Sequence, residues 1–151
     1  MHVEDYAIPI HADAYKLPFA GEYFDAIISV DAYHYFGNNK EYFEKHLRWL
    51  MKKDGFIAFP GMQYEVHDNI PEEMKNLWEP EALETWHSIP WWKDKLEKLL
   101  DSMEMREMKC FDKAWEDWLE TDNPYAIEDI EMIKTDAGRY MNIISIVGNL
   151  K

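Results

Sequence analysis

The chain has 151 residues, 47% hydrophobic and 30% charged, which is enough for one domain with a substantial core and excludes a disordered composition. A net charge of −14 argues against nucleic acid or an anionic membrane surface as a partner, because both call for clustered Lys and Arg. One cysteine, Cys110, excludes an internal disulfide; with no apolar run of membrane-span length and no signal-peptide pattern in MHVEDYAIPIH, a cytoplasmic location is expected.

Ala7–His11 (AIPIH) reads as the tail of a strand, kept at an edge or distorted by Pro9. ADAYKLPFAGEY, with Asp13, Pro18 and Gly21, reads as a loop holding one helical turn. Phe24–Val30 (FDAIISV) is short and apolar apart from Asp25 and Ser29, the pattern of a buried parallel strand. Asp31–Asn39 (DAYHYFGNN) reads as a polar, aromatic loop. Lys40–Lys52 then places Tyr42, Phe43, His46, Leu47, Leu50 and Met51 at helical spacing. Asp54 and Gly55 end that helix, with glycine supplying the left-handed residue. Phe56–Phe59 (FIAF) is the next buried strand, so residues 24–59 form a right-handed, parallel βαβ unit.

From Pro60 the prolines at 71, 80 and 90 predict loops and short helices. Trp91–Met103 is predicted helical, with Trp92, Leu96, Leu99, Leu100 and Met103 on one face and Pro90 just before it. Met105–Phe111 alternates as a strand does. Lys113–Glu120 and Ile127–Ala137 read as helices, and Gly138–Leu150, β-branched from Ile143 to Val147, as the final strand. No repeat, low-complexity tract or linker divides the chain.

Three groups of residues carry candidate chemistry. Asp13, just after a strand, can accept a hydrogen bond from an adenine amino group or can simply form a turn. In VDAYHYF, His34 with Tyr33 and Tyr35 can orient a small substrate or take a proton near neutral pH; the alternative is aromatic packing under the next helix. Trp86, His87, Ser88, Trp91 and Trp92 form the third group. Adjacent tryptophans cannot both face one core, so they line an apolar or cation-binding pocket or else share a tryptophan-rich core. No metal is expected: His2, His11, His34, His46, His67 and His87 show no ligand spacing, and Cys110 has no sequence-local helper for a nucleophilic role.

ADAYKLPF, FDAIISVDAYHYF, the amphipathic helix and DGFIAFPG, followed by SIPWWKDKLEKL and TDAGRYMNIISIVGNLK, together resemble the S-adenosylmethionine-dependent methyltransferases with a Rossmann-like fold. Within them the chain is similar to the small-molecule branch, methyltransferase type 11 or cyclopropane-fatty-acid-synthase-like. The resemblance implies an α/β fold: a sheet of order 3-2-1-4-5-7-6, mostly parallel with an antiparallel C-terminal strand, and helices on both faces. It makes Ala7–His11 strand 3, Phe24–Val30 strand 4, Phe56–Phe59 strand 5, Met105–Phe111 strand 6 and Ile143–Val147 strand 7. It implies S-adenosylmethionine as cofactor and methyl transfer to a small-molecule acceptor. Asp13 and Ala14 match the adenine-contacting positions, Val30 and Asp31 those beside the methionine part, and Tyr33 and His34 the methyl-transfer mouth. Tyr35, Trp86, His87, Trp91 and Trp92 would shape the acceptor pocket.

The glycine-rich loop after strand 1 and the acidic residue after strand 2 have no counterpart here, and the six glycines form no G-x-G. Residues 1–151 therefore read as one incomplete methyltransferase-like domain without strands 1 and 2, and weak or no cofactor binding is expected. The alternatives are a non-catalytic remnant serving as a binding or oligomerisation module, or an unrelated α/β ligand-binding domain. With strand 1 absent, Phe24–Val30 has an open apolar edge, which a second copy of the chain or residues 1–11 is expected to cover.

Overall fold

The computed structural model describes residues 6–39, 41–64 and 70–151, with 54–64 described by backbone alone. Lys40, the expected helix start, and loop residues 65–69 lie outside the described residues. Four strands form one sheet: β1 (Phe24–Ile28), β2 (Met51–Tyr64), β3 (Leu100–Glu107) and β4 (Met141–Leu150), in the order β1-β2-β4-β3. β1 and β2 are parallel, while β4 runs antiparallel to both β2 and β3. This is the 4-5-7-6 portion of the expected order, with the antiparallel strand in its expected place. The helices are α1 (Tyr33–Gly37), α2 (Pro80–Thr85), α3 (Ile89–Leu96), α4 (Phe111–Leu119), α5 (Pro124–Glu128) and α6 (Ile130–Asp136).

Several elements differ from the sequence reading. Residues 7–13 are irregular and exposed rather than a strand. In the order 3-2-1-4, strand 3 never touches strand 4; with neither strand 2 nor strand 1 among the described strands, residues 7–11 have no ladder to join. The loop expected at 31–39 contains α1. The amphipathic helix is a π-helical turn, Phe43–Leu47, followed by a 3₁₀ turn, Arg48–Leu50. Its apolar face still buries Tyr42, Phe43, Leu47 and Leu50.

Asp54 and Gly55 lie inside β2. Between the pairs Phe24↔Met51 and Ala26↔Phe56, β1 advances two residues while β2 advances five, so the expected turn is absorbed as a bulge. β2 also runs past Pro60. Its pairing with β1 ends at Ala58, so Pro60 has only β4 beside it and its missing N–H leaves no gap in a second ladder. The helix expected over Trp91–Met103 stops at Leu96, because Leu100 pairs with Leu150 and starts β3 upstream of the predicted strand. Leu100 is buried either way, and that is the only property the apolar pattern encoded.

Two cores result. The first joins the sheet to α1, the 43–50 turns and α3 through Tyr33, Phe43, Leu47, Trp92, Leu96 and Ile144. The second joins α2, α6 and the start of β4 through Met74, Trp78, Ala82, Trp86, Met132 and Met141. Among the described residues, nothing pairs with the outer edge of β1. Residues 6–11 stay exposed, and Ile28 and Val30 are 67% and 69% exposed. Residues 6–11 therefore do not fill the place beside β1 as one expectation had it, and residues 1–5 lie outside the described residues.

Candidate functional site

The C-terminal end of β1 leads through Val30 and Asp31 into α1. Ligands of open parallel sheets bind at such strand ends. Asp31 has a left-handed backbone (φ 46°), a conformation Asp tolerates better than most residues. The turn leaves Val30 and the Asp31 carboxylate exposed and aims α1 back over the first core.

Within α1 the neighbouring side chains diverge. Tyr33 is buried in the first core against Tyr42 and Trp92, ring centroids 6.2 and 5.7 Å away. Burial drives its phenol pKa well up, so Tyr33 is a packing residue here and not a proton acceptor. Tyr35 is half exposed. His34 is only 5% exposed, its ring 4.0 Å from that of Tyr35. Its Nδ1 has no hydrogen-bond partner among the described residues. Burial lowers the His34 pKa, opposed by the negative charges of Asp31 and of Glu81 in α2. The ring is therefore held neutral near pH 7, with one nitrogen able to accept a proton.

The Asp13 loop is fastened beside this end of α1. Asp13 Oδ1 accepts the Tyr15 N–H (2.9 Å) and its carbonyl accepts the Lys16 N–H (2.9 Å), a turn closed by its own side chain. Tyr42 Oη donates to the Ala14 carbonyl (3.2 Å), and Tyr15 packs edge-on against Phe36 and Tyr42. Asp13, Ala14, Val30, Asp31 and His34 thus lie on elements packed at one end of the sheet.

The tryptophan group does not hold together. Trp86 belongs to the second core and Trp92 to the first, so the pocket expected across both is divided by the course of the chain. His87 stacks on Trp91 at 3.6 Å and 11°, and Lys95 Nζ lies 4.2 Å from the centre of the Trp91 ring. With an imidazole stacked on it and an ammonium at its ring, Trp91 is not an open platform. Sequence reasoning missed Asn38, which bonds to His87 and to the Glu84 carbonyl, as well as Glu81 and Lys95. Lys95 had a local signal, its i,i+4 spacing from Trp91; Glu81 and Asn38 had none.

Two hollows lie elsewhere. One of about 300 Å³, lined by Glu22, Glu44, Arg48, Trp49 and Met51, is at the N-terminal ends of β1 and β2, opposite the candidate site. The other, about 180 Å³, lies between α4 and α6 beside Phe111, Trp115 and Ile133. No group of three or more His, Cys, Asp or Glu side chains among the described residues could hold a metal ion. No helix among them is long and apolar enough to cross a membrane.

Residues 2–59 match the family described as a methyltransferase domain. Over those residues the chain is similar to methyltransferase domains, and the strand order is that of the Rossmann-like methyltransferase fold. Two solved structures show how the fold compares. The chain superposes with a TM-score of 0.64 on Haemonchus contortus phosphoethanolamine N-methyltransferase 2, solved with phosphomonomethylethanolamine and S-adenosylhomocysteine. The identity is 14%, over 92% of this chain and 36% of that one. It superposes with a TM-score of 0.69 on the geranyl diphosphate C-methyltransferase of Streptomyces coelicolor, solved with Mg2+, geranyl diphosphate and S-adenosylhomocysteine. There the identity is 13%, over 99% of this chain and 55% of that one. The chain thus spans about a third to a half of the length of these two structures. No curated protein matches the sequence.

Proposed function

We propose that this chain forms the adenine-side and acceptor-side part of an S-adenosylmethionine-dependent methyltransferase that acts on a small molecule. The observation that carries the reading is His34, a buried neutral imidazole with an unpartnered nitrogen, at the strand end where this sheet order binds its ligands. A buried polar atom without a partner costs about 1–3 kcal/mol, and at a strand end that binds ligands a role toward the ligand accounts for it.

The residues present fit the cofactor. Asp13 has one carboxylate oxygen engaged in its turn and the other left for the adenine amino group. Val30 offers an exposed apolar surface beside it, and Asp31 a carboxylate for the ammonium of the methionine part. The cofactor supplies a methyl group activated on a positively charged sulfur. His34 orients the acceptor and takes its proton at the free ring nitrogen, while Tyr35 closes over the acceptor. Tyr33 and Trp92 hold α1 from below.

Calorimetric titration with S-adenosylhomocysteine tests the reading. Weak binding that Asp13→Ala and Asp31→Asn each reduce further supports it. No binding by this chain, nor by a longer chain carrying a glycine-rich first strand, would sink it. An oligomer covering β1 belongs to the same proposal, supported by the exposure of Ile28 and Val30. A monomer by light scattering with the β1 edge unpaired would remove that part alone.

A further inference from the structure

At the end of α1, Asn38 meets three other parts of the chain. Its Nδ2 donates to the carbonyl of Glu84, the residue before the end of α2. Its Oδ1 lies 2.8 Å from His87 Nε2. Its own carbonyl accepts from Lys95 Nζ of α3 at 2.7 Å. The amide orientation follows from the first contact: only the NH2 end can face a carbonyl, so the oxygen faces His87 and His87 Nε2 is the protonated nitrogen. Lys95 Nζ and the His87 ring both meet the Trp91 ring, so Asn38, Lys95, Trp91 and His87 form a closed ring of contacts. Next to Asn38, Gly37 lets α1 come close enough to Trp92 that an added Cβ would stand 2.9 Å from Cζ3.

We propose that Asn38 is the positioning residue of the candidate site, holding α1 and the His34 and Tyr35 it carries by bonding at once to α2, to His87 and to α3. The inference rests on His34 being a site residue, as in the function proposed above. A five-residue helix is too short to hold its own orientation. Its register over the first core is set from below by Tyr33 and Gly37, and its lateral position has to come from side-chain bonds. Asn38 lies one turn beyond His34 and Glu84 lies three residues beyond Glu81. The Asn38–Glu84 bond therefore also sets how near the Glu81 carboxylate stands to His34.

NMR titration of the 151-residue chain tests this without knowledge of the acceptor. In the unsubstituted chain His34 titrates below the ordinary imidazole value of about 6.5, and a downfield, slowly exchanging Nε2–H proton of His87 is visible. In Asn38→Ala the His34 midpoint moves up toward the ordinary value as water reaches the ring, and the His87 proton signal is lost. A lower thermal midpoint with the His34 titration unchanged would make Asn38 a packing residue only and overturn the proposal. If Asn38→Ala does not fold, Lys95→Met removes one of the three bonds and is expected to move His34 in the same direction by less; an unmoved His34 there also overturns it. Calorimetry with S-adenosylhomocysteine on the unsubstituted chain and on a longer chain carrying a glycine-rich first strand decides the methyltransferase reading separately, so the two failures are distinguishable.

Discussion

Two turns in this molecule use the same backbone device and opposite uses of a carboxylate. Between α6 and β4, Ala137 (φ 48°) and Gly138 (φ 74°) are left-handed, and Asp136 just before them is 1% exposed. Its Oδ2 accepts the Gly138 N–H (2.8 Å), and its Oδ1 accepts the N–H groups of Tyr140 (3.1 Å) and Met141 (3.0 Å). Between β1 and α1, Asp31 is itself left-handed (φ 46°), yet its carboxylate is exposed and has no hydrogen bond among the described residues. In the first turn the buried side chain gathers three backbone donors, of which that of Met141 would otherwise be orphaned by burial. In the second the backbone strain supports nothing internal, and strain of that kind collects where a chain presents groups to a ligand. The first turn fixes the start of β4 in the second core; the second sets the mouth of the candidate site.

The largest expected effect separates the two turns directly. Asp136→Ala takes the acceptor from three N–H groups, that of Met141 buried and those of Gly138 and Tyr140 partly so, and is expected to destabilise the fold by about 2–3 kcal/mol. Asp31→Ala is expected to change stability by less than about 1 kcal/mol while weakening S-adenosylhomocysteine binding. Urea denaturation of both variants measures the first contrast. Similar costs for the two would mean that Asp31 also carries structure, and would break the comparison.

Gly37 at the end of α1 and Gly138 in the α6–β4 turn give the next effect. A Cβ at Gly37 would press into the Tyr33 ring and stand 2.9 Å from Trp92 Cζ3, with the first core on both sides. A Cβ at Gly138 would meet only Phe111, at 3.3 Å, but in a left-handed backbone. Gly37→Ala is therefore expected to cost about 2–3 kcal/mol by overpacking, and Gly138→Ala about 1–2 kcal/mol by backbone strain. Thermal unfolding of the pair ranks them; the reverse order would show that α1 yields more readily than its packing indicates.

The two turns were not equally legible in the sequence. The closing stretch gave β4 because its β-branched run is local, and the resemblance carried the strand order through to the antiparallel strand. The periodicity around Leu47 and Leu100 reported burial correctly but not geometry. A π-helical turn and a strand each bury the same residues as an α-helix, and only pairing with β4 decides for the strand at Leu100. Residues 7–11 failed as a strand for the same reason, since no neighbour is present to pair with them. At the site, His34 and Asp31 could be picked out because they follow the end of β1, whereas Asp13 was placed after a strand at 7–11 that does not form. The roles of Asn38 and Glu81 could not, since each depends on a contact more than forty residues away in sequence. Nor does any local rule say that Trp86 and Trp92, six residues apart, point into different cores.

The smallest effect concerns charge. Burial lowers the His34 pKa below the value the same imidazole has in the unfolded chain. As pH falls through about 6.5, the unfolded chain takes up a proton that the folded chain does not, so stability falls with pH in that window and levels off below the folded-state value. Stability is thus greater at pH 7.5 than at pH 5.5, and the slope at pH 6 contains a contribution from this one ring. His34→Phe keeps an aromatic ring of similar size next to Tyr35 and removes the titration, so its stability is expected to depend less on pH between 5.5 and 7. The corresponding exposed groups, Asp31 and Glu81, oppose the shift, and Asp31→Asn removes one charge that favours imidazolium. In Asp31→Asn the pH dependence is therefore expected to grow rather than shrink. Urea midpoints at pH 5.5, 6.5 and 7.5 for the three chains measure this. An unchanged slope in His34→Phe would show that His34 is solvated in the folded chain, and the proposed role of His34 as a buried, neutral base would lose its support.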